Sequence, residues 1–375
     1  MNPLKKLSVL KRTLKVPGRK RILVIFYEYL IYKLTKPDLA EQYFIKLLFR
    51  KSVTRPSDYV VSHKIAEQAW YYKDTTYNSI LNNKSNFELF FSKFNIPVVK
   101  SFAYNINHLF FGNNDLTLIV NSEKFRHFFI ELKDKGSWKE DYMIVKKKDD
   151  SWGGRNIFKI SFKDIMNSNG RLEAFYNEVI NSGYIFQDRV VQHPELNRVS
   201  PYSLNTIRID TFTNKDGITK IFNAYLRFSC KETITDNVSG GGMFSGINME
   251  NGMLYEEAFG DFHKGDNTVL LSHPLTGLVF KNFQIPFFQQ AKKLAKEAAK
   301  FLPYTKLIGW DIGIQPTGPV LIEGNCYSNL FNTEIAQKGH LKNPVVQELL
   351  NELDVFYNKN GNRLDELKKR FPYHL

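Results

Sequence analysis

Residues 309–325 read Gly309-Trp310-Asp311-Ile312-Gly313-Ile314-Gln315-Pro316-Thr317-Gly318-Pro319-Val320-Leu321-Ile322-Glu323-Gly324-Asn325. Two apolar-rich runs flank a Pro/Gly turn, the pattern of a β-hairpin. Asp311 lies on the first strand, Glu323 and Asn325 on the second. Positions two apart on a strand face the same side, so Glu323 and Asn325 point together, and the turn brings Asp311 back towards them. A set of oxygen ligands without thiol or imidazole suits Mg²⁺. Acidic strand residues also occur on solvated outer faces, so the hairpin has to be read with the rest of the chain.

At 375 residues the chain can hold two or three domains. An apolar content of 43%, rich in Phe and Tyr, marks a folded protein rather than a disordered one. The two cysteines, Cys230 and Cys326, exclude a disulfide scaffold or zinc ribbon and fit a reducing compartment, so the expected location is cytoplasmic. A net charge of +14 favours polyanionic partners: nucleic acid, anionic lipid, acidic glycan or nucleotide phosphate. Residues 1–20 are rich in Lys and Arg, and 22–32 are largely apolar. Glu28 interrupts that run, no small-residue cleavage site follows, and the run is too short to span a bilayer, which argues against a signal peptide. Two readings stand: a helix packed on the main body, or a basic amphipathic anchor at the inner face of the cell membrane.

The remaining pattern predicts an α+β chain. Residues 1–75 read as a basic helical region, with helix-spaced Leu39, Tyr43, Phe44, Leu47 and Leu48 predicting a helix over 39–49. Residues 76–190 read as a helix, an Ile96-Pro97 extended start and a small α+β subdomain. Within it, strands are expected at 116–120, 142–146 and 184–188, and helices at 122–135 and 162–182. Residues 191–375 read as a larger sheet-based domain, with strands at 206–213 and 219–229, the hairpin, and helices at 287–301 and 345–358.

Several segments carry chemistry only in combination. Lys146 ends an apolar strand and precedes Gly153-Gly154, where backbone N–H groups and a cation could meet a phosphate; Lys146-Lys147-Lys148 is equally a solvated charge run. The strand at 184–191 could line an adenine and ribose pocket, with the 186–190 backbone on the base and Asp188 on the ribose, or be an ordinary strand end. Arg208 alternates with Ile207 and Ile209. Buried among apolar neighbours, it must hold an anion or pair with an acid such as Asp210 or Glu323. Arg227 sits in a similar apolar strand. Gly240-Gly241-Gly242 suits a loop over a ligand or a hairpin tip. His193, beside Pro194, reads as structural.

In this order the pieces resemble the ATP-grasp superfamily, and most of all its sugar-transfer-associated branch, found among bacterial surface-polysaccharide genes. The resemblance spans about 80–335. It rests on Asn83-Lys84 with Ile96-Pro97, Val145-Lys146 with Gly153-Gly154, Gln192-His193-Pro194-Glu195-Leu196, Ser203-Leu204-Asn205-Thr206-Ile207-Arg208, Asn237 with the glycines, His273-Pro274-Leu275-Thr276-Gly277, and Gly309-Trp310-Asp311 with Glu323-Gly324-Asn325. It implies an ATP-grasp fold with ATP between a flap subdomain and the larger domain. Lys84 and Lys146 would contact phosphates from two sides, and Gly153 and Gly154 would form a flap. Gln187, Asp188 and Val190 would form the nucleotide hinge. Asp311, Glu323 and Asn325 would hold Mg²⁺. Arg208, Arg227 and Asn205 are the implied catalytic residues. Two departures stand out: Lys147 replaces the proline that usually follows the strand lysine, which leaves Lys147 open as the phosphate contact in place of Lys146, and the hinge is less acidic than usual, which leaves the ribose contact open.

The implied chemistry is ATP- and Mg²⁺-dependent carboxylate–amine ligation through an acyl phosphate. The expected partners are ATP, a carboxylate-bearing sugar or glycan such as a uronic acid, and an amine or amino acid. Rival readings are an ATP-dependent glycan kinase and an inactive scaffold that binds glycan or membrane. A nucleic-acid binder is disfavoured, because no recognition helix or RNA-binding signature is present.

Overall fold

Short strands rich in Phe, Tyr, Ile and Val are joined by Asn- and Gly-containing turns that can take positive φ. Asn107 is at φ 50°, while Asn113 and Asn114 are at 53° and 64°, so each closes a tight hairpin. The computed structural model describes residues 13, 16, 18–72, 77–149, 157–167, 170–261, 268–326 and 328–370, leaving aside the side chains of 239 and 361–370. In chain order the strands are β1 (Ser101–Ile106), β2 (Leu109–Gly112), β3 (Asp115–Leu118), β4 (Tyr142–Lys147), β5 (Ile157–Ser161), β6 (Tyr184–Asp188), β7 (Ile207–Thr213), β8 (Thr219–Phe228), β9 (Met243–Ile247), β10 (Leu254–Phe259), β11 (Val269–Leu270), β12 (Leu307–Gln315) and β13 (Gly318–Asn325).

They form two antiparallel sheets. The smaller runs β3-β2-β1-β6-β4-β5, the larger β11-β10-β9-β8-β7-β12-β13. In the smaller sheet Met143, Val145, Tyr184 and Phe186 point to one face and pack on Phe125, Phe129, Leu172 and Tyr176 of the helices Ser122–Asp134 and Gly170–Ile180. Ile144 and Lys146 take the other face by the two-residue alternation.

The larger sheet divides its faces by the same rule. Ile207, Ile209, Leu226, Phe228, Trp310 and Ile312 face the helix Phe288–Lys300 and form the main core with its Phe288, Ala291, Leu294 and Ala295. The opposite face carries Arg208, Asp210, Tyr225, Arg227 and Asp311 in its middle. It is closed at its sides by two further apolar clusters. One contains Tyr43, Leu47, Leu48 and Phe49 of the N-terminal region with Tyr225, Phe244 and Ile335; the other contains Phe212, Phe222, Leu349 and Leu353. The N-terminal region is thus built onto the large sheet. A buried Lys46–Glu334 ion pair pins it there, and Glu334 also accepts from the backbone of Val60 at 2.6 Å and Val61 at 3.2 Å.

Two sequence expectations change. The helix expected over 39–49 stops at Gln42, and Leu47 takes φ 53°; its apolar residues stay buried by turning in a compact loop instead. The helix expected over 162–182 is two helices, Phe162–Met166 and Gly170–Ile180. Residues 77–99 pack on the large sheet: Leu81, Phe87, Phe91 and Val98 belong to its core, and Val98 bridges Leu321 in parallel. Gly153 and Gly154 lie outside the described residues.

Candidate active site

The hairpin register places Asp311 opposite Glu323 and Gly309 opposite Asn325. On the other side of β12, Arg208 of β7 lies opposite Asp311, and Tyr225 of β8 lies opposite Arg208. One row across the sheet therefore reads Glu323, Asp311, Arg208, Tyr225. The adjacent row reads Asn325, Gly309, Asp210, Asn223. Directly opposed strand residues have neighbouring side chains, so register alone assembles a polar strip.

Asp311 is the fixed point of that strip. Its carboxylate is buried and accepts from Arg208 Nε at 2.6 Å and from Arg227 Nη2 at 2.8 Å. Burial pushes its pKa up, but the two guanidiniums outweigh that and hold the carboxyl well below the usual range. Arg208 thus pairs with Asp311 rather than with Asp210 or Glu323. Arg227 is held in turn: Thr206 Oγ1 accepts from its Nε at 3.0 Å and Nη2 at 2.7 Å, and Asp236 accepts from the Thr206 backbone at 2.9 Å. Gly309 makes room for this packing. A Cβ there would stand 2.8 Å from Arg208 Nη1 and 2.9 Å from Asp210 Oδ1.

Glu323 behaves oppositely. Burial and the neighbouring Asp311 charge both raise its pKa, while Lys84 and Lys146 draw it down. Two carboxylates side by side, one locked ionised and the other destabilised as an anion, form a site whose repulsion a divalent cation would relieve. Asn325 extends the donor set. Its Nδ2 donates to Gly309 O at 3.3 Å and lies 3.5 Å from Asp311 Oδ2. The donors are two carboxylates and one amide; among the described residues no group of three or more His, Cys, Asp and Glu comes together. This oxygen set fits Mg²⁺, which takes few protein ligands and keeps the rest for water and phosphate.

The two lysines come from different parts of the fold, Lys84 from a helix packed on the large sheet and Lys146 from β4 of the smaller one. Lys84 is the first residue of the helix Lys84–Lys93, capped by Asn83, whose Oδ1 accepts from Ser85 N and Asn86 N at 3.0 Å. The Lys84 backbone N–H donates to Lys148 O at 3.0 Å, docking this helix on the end of β4. Lys146, on the free face of β4, lies within electrostatic reach of Glu323, Lys84 and Asp311. Burial lowers its pKa, Glu323 opposes the shift and Lys84 adds to it. Lys147 alternates to the side of Met143 and Val145. Gly324 permits this convergence: a Cβ there would sit 2.8 Å from Leu81 Cδ2 and 3.2 Å from Phe87 Cε2.

Other candidates serve the frame. The Asn205 amide is wholly buried and donates to Leu196 O and Ser200 O, both at 2.8 Å, so it ties down the 192–205 loop and does not join the polar strip. The Asp188 carboxylate accepts from the backbone N–H groups of Lys139 and Glu140, both at 3.0 Å. Gln187 is buried beside Val99 O and Ser101 Oγ, and Val190 lies near Gly313. His193 caps the helix Pro194–Val199, and buried His273 spans Ser229 O and the 275–276 backbone. Thr206 and Asp236 went unread in the sequence as site residues. Their position one residue from Ile207 and from Asn237 was the available signal.

Residues 72–348 match the family described as sugar-transfer associated ATP-grasp. The chain belongs to that family. As an ATP-grasp protein it has the mixed helix and antiparallel-sheet architecture seen above. Solved structures similar to it include the ADP complex of N5-carboxyaminoimidazole ribonucleotide synthetase (12% identity, 68% of this chain and 48% of that one, TM-score 0.40). They also include D-alanine–D-alanine ligase from Bacillus anthracis (11%, 77% and 72%, 0.41) and D-alanyl-alanine synthetase A from Vibrio cholerae (13%, 75% and 68%, 0.40). The chain spans about half the length of the first of these. No curated protein matches its sequence.

Proposed function

We propose that this ATP-grasp protein is an ATP- and Mg²⁺-dependent carboxylate–amine ligase that attaches an amine or amino acid to a uronic acid of a bacterial capsular or cell-surface polysaccharide. The observation that carries the reading is the approach of Lys84 and Lys146 to Glu323, beside an Asp311 clamped by Arg208 and Arg227. That is a site built to gather anionic charge and align it rather than to supply a protein nucleophile.

In the proposed reaction a substrate carboxylate oxygen attacks the γ-phosphorus of ATP, and the bond to the β–γ bridging oxygen breaks to release ADP. The amine nitrogen then attacks the acyl carbon, phosphate departs with the C–O bonding pair, and the nitrogen gives up its proton. Lys84 and Lys146 hold phosphate oxygens in line for the first step. Arg208 and Arg227 both fix Asp311 and bring positive charge to the transferring group. Asp311, Glu323 and Asn325 would hold Mg²⁺, which when bound neutralises charge on the phosphate oxygens. The family's sugar-transfer association and the +14 charge support an acidic glycan as the carboxylate donor.

The test is ADP release from the purified protein with ATP, Mg²⁺, uronic-acid oligosaccharides and a panel of amino acids, with mass spectrometry of the product. ADP matched by an amide product supports ligation. ADP formed with a neutral sugar and no amine marks a kinase, and no ADP with any pair sinks the enzymatic reading.

A further inference from the structure

The helix Ile22–Thr35 carries an apolar surface that the fold leaves uncovered. Ile25 is its buried residue, with Glu28, Tyr29 and Tyr32 half-buried against the body. Leu23 is 82% exposed, Leu34 77%, Phe26 66% and Tyr27 64%, and Ile22, Val24, Leu30 and Ile31 are exposed as well. At about 100° per residue these eight side chains sweep roughly half of the helix circumference. That is a far wider stripe than isolated surface apolar residues produce.

The charge around this stripe is one-sided. The only acid of the helix, Glu28, is turned inward, where its carboxylate receives Lys20 Nζ at 2.8 Å and the Tyr43 hydroxyl at 2.5 Å. Exposed cations stand at both ends: Arg21 at the start, Lys33 and Lys36 at the finish. Ten of the chain's 52 Lys and Arg, but one of its 38 acidic residues, fall within the first 36 positions.

We propose that this helix lies flat in the headgroup region of an anionic bilayer, with Leu23, Phe26, Tyr27 and Leu34 inserted and Arg21, Lys33 and Lys36 on lipid phosphates. At 14 residues it is about 21 Å long, and no described helix is long and apolar enough to cross a membrane. Inserted apolar side chains and flanking cations on anionic headgroups both favour binding in the plane of such a surface. A second copy is the poorer occupant, because two such helices would oppose cations with no acid between them. The inference stands independently of the reaction proposed above.

Co-sedimentation of the full chain with vesicles tests it, using phosphatidylcholine alone and phosphatidylcholine mixed with phosphatidylglycerol, alongside light scattering of the protein without lipid. The expected result is a monomer that binds the mixed vesicles, weakly binds the neutral ones and is released by salt. The combined Leu23→Ser, Phe26→Ser and Leu34→Ser variant, altered at exposed positions only, keeps its circular dichroism and loses at least about tenfold in partitioning. Arg21→Glu, Lys33→Glu and Lys36→Glu each cost about fivefold or more. Equal binding to neutral vesicles, no effect of the serine variant, or a lipid-free dimer that this variant dissociates overturns the proposal.

Discussion

Arg208 Nε donates to Asp311 Oδ1 over 2.6 Å between register partners of β7 and β12, deep in the large sheet. The contact gives Asp311 two duties, as anchor of buried guanidiniums and as a candidate cation ligand. Removing its charge strands Arg208 and Arg227 without a full counter-ion. Losing one partner of a buried ion pair costs about 3–5 kcal/mol. Asp311→Asn is therefore expected to lower the unfolding free energy from urea titration by an amount of that order and to abolish activity, whereas a carboxylate serving only as a metal ligand would leave it nearly unchanged.

Glu323 should separate the two duties. Its pKa is raised by burial and by the Asp311 charge, so the native state holds its proton more tightly than the unfolded chain. That contribution is present below the ordinary carboxyl range and is lost as pH rises through the raised value. At neutral pH its ionised form is a destabilising anion in the empty protein. Glu323→Gln is expected to match or exceed the parent in thermal stability at pH 7, and to lose Mg²⁺-dependent nucleotide binding in calorimetric titration. A variant that melts lower yet binds as before contradicts this assignment.

Lys146, rather than Lys147, faces the carboxylates, because alternation along β4 sends Lys147 to the other side. Lys146→Ala and Lys84→Ala are expected to weaken ADP binding about tenfold or more each, on the scale of a lost charge-assisted contact of about 1.5–3 kcal/mol. Lys147→Ala should stay within about twofold. Fluorescence titration with an ADP analogue makes the comparison; equal losses at 146 and 147 would point to bulk charge rather than a positioned side chain.

These contrasts show where sequence reading reached its limit. The hairpin was legible because its evidence is local: alternation, a Pro/Gly turn, and Glu323 two positions from Asn325. The helix at Lys84 was legible too, as the helical segment ahead of the Ile96-Pro97 extended start. The partner of Arg208 was not, since Asp210 and Glu323 were equally plausible until the β7–β12 register joined positions 103 apart. Nor were the partners of Asn205, which sits in a motif beside Arg208 while its buried amide donates to the distant backbone carbonyls of Leu196 and Ser200. The helix expected over 39–49 failed because its periodic apolar residues satisfy burial in a loop, with Leu47 in a backbone region that propensity disfavours.

Gly324 links the metal strand to the lysine helix. A Cβ would come within 2.8 Å of Leu81 Cδ2 and 3.1 Å of Trp310 Cζ3, with Phe87 at 3.2 Å. Overpacking of this kind costs about 1–3 kcal/mol. Gly324→Ala should lower stability by that amount and weaken nucleotide binding as well, because the helix bearing Lys84 must back away from β13. Pairing it with Leu81→Ala, which clears the nearest contact, should recover part of the binding. Failure of any recovery would mean that Trp310 and Phe87, not Leu81, set the helix position.

Asp210 offers the pH test. It is wholly buried next to the strip, and burial, only partly offset by Arg208, lifts its pKa to about 6. Asn223 Nδ2 donates to its Oδ2, and the Ser328 hydroxyl is a second polar neighbour that draws the pKa down. A carboxyl whose native pKa lies above its unfolded value adds stability below about pH 4, and that stability drains away as pH rises through about 6. A shift of about two units is worth roughly 3 kcal/mol at most. Asp210→Asn removes the titration while keeping a group that can hydrogen-bond Asn223. Its stability curve from pH 4 to 7 should therefore lack a downward step that the parent shows, and the variant should be the more stable of the two at pH 7. If the parent instead gains stability across that interval and the variant falls below it at pH 7, Asp210 is an ionised partner of Arg208, and the neighbouring guanidinium, not burial, governs its proton.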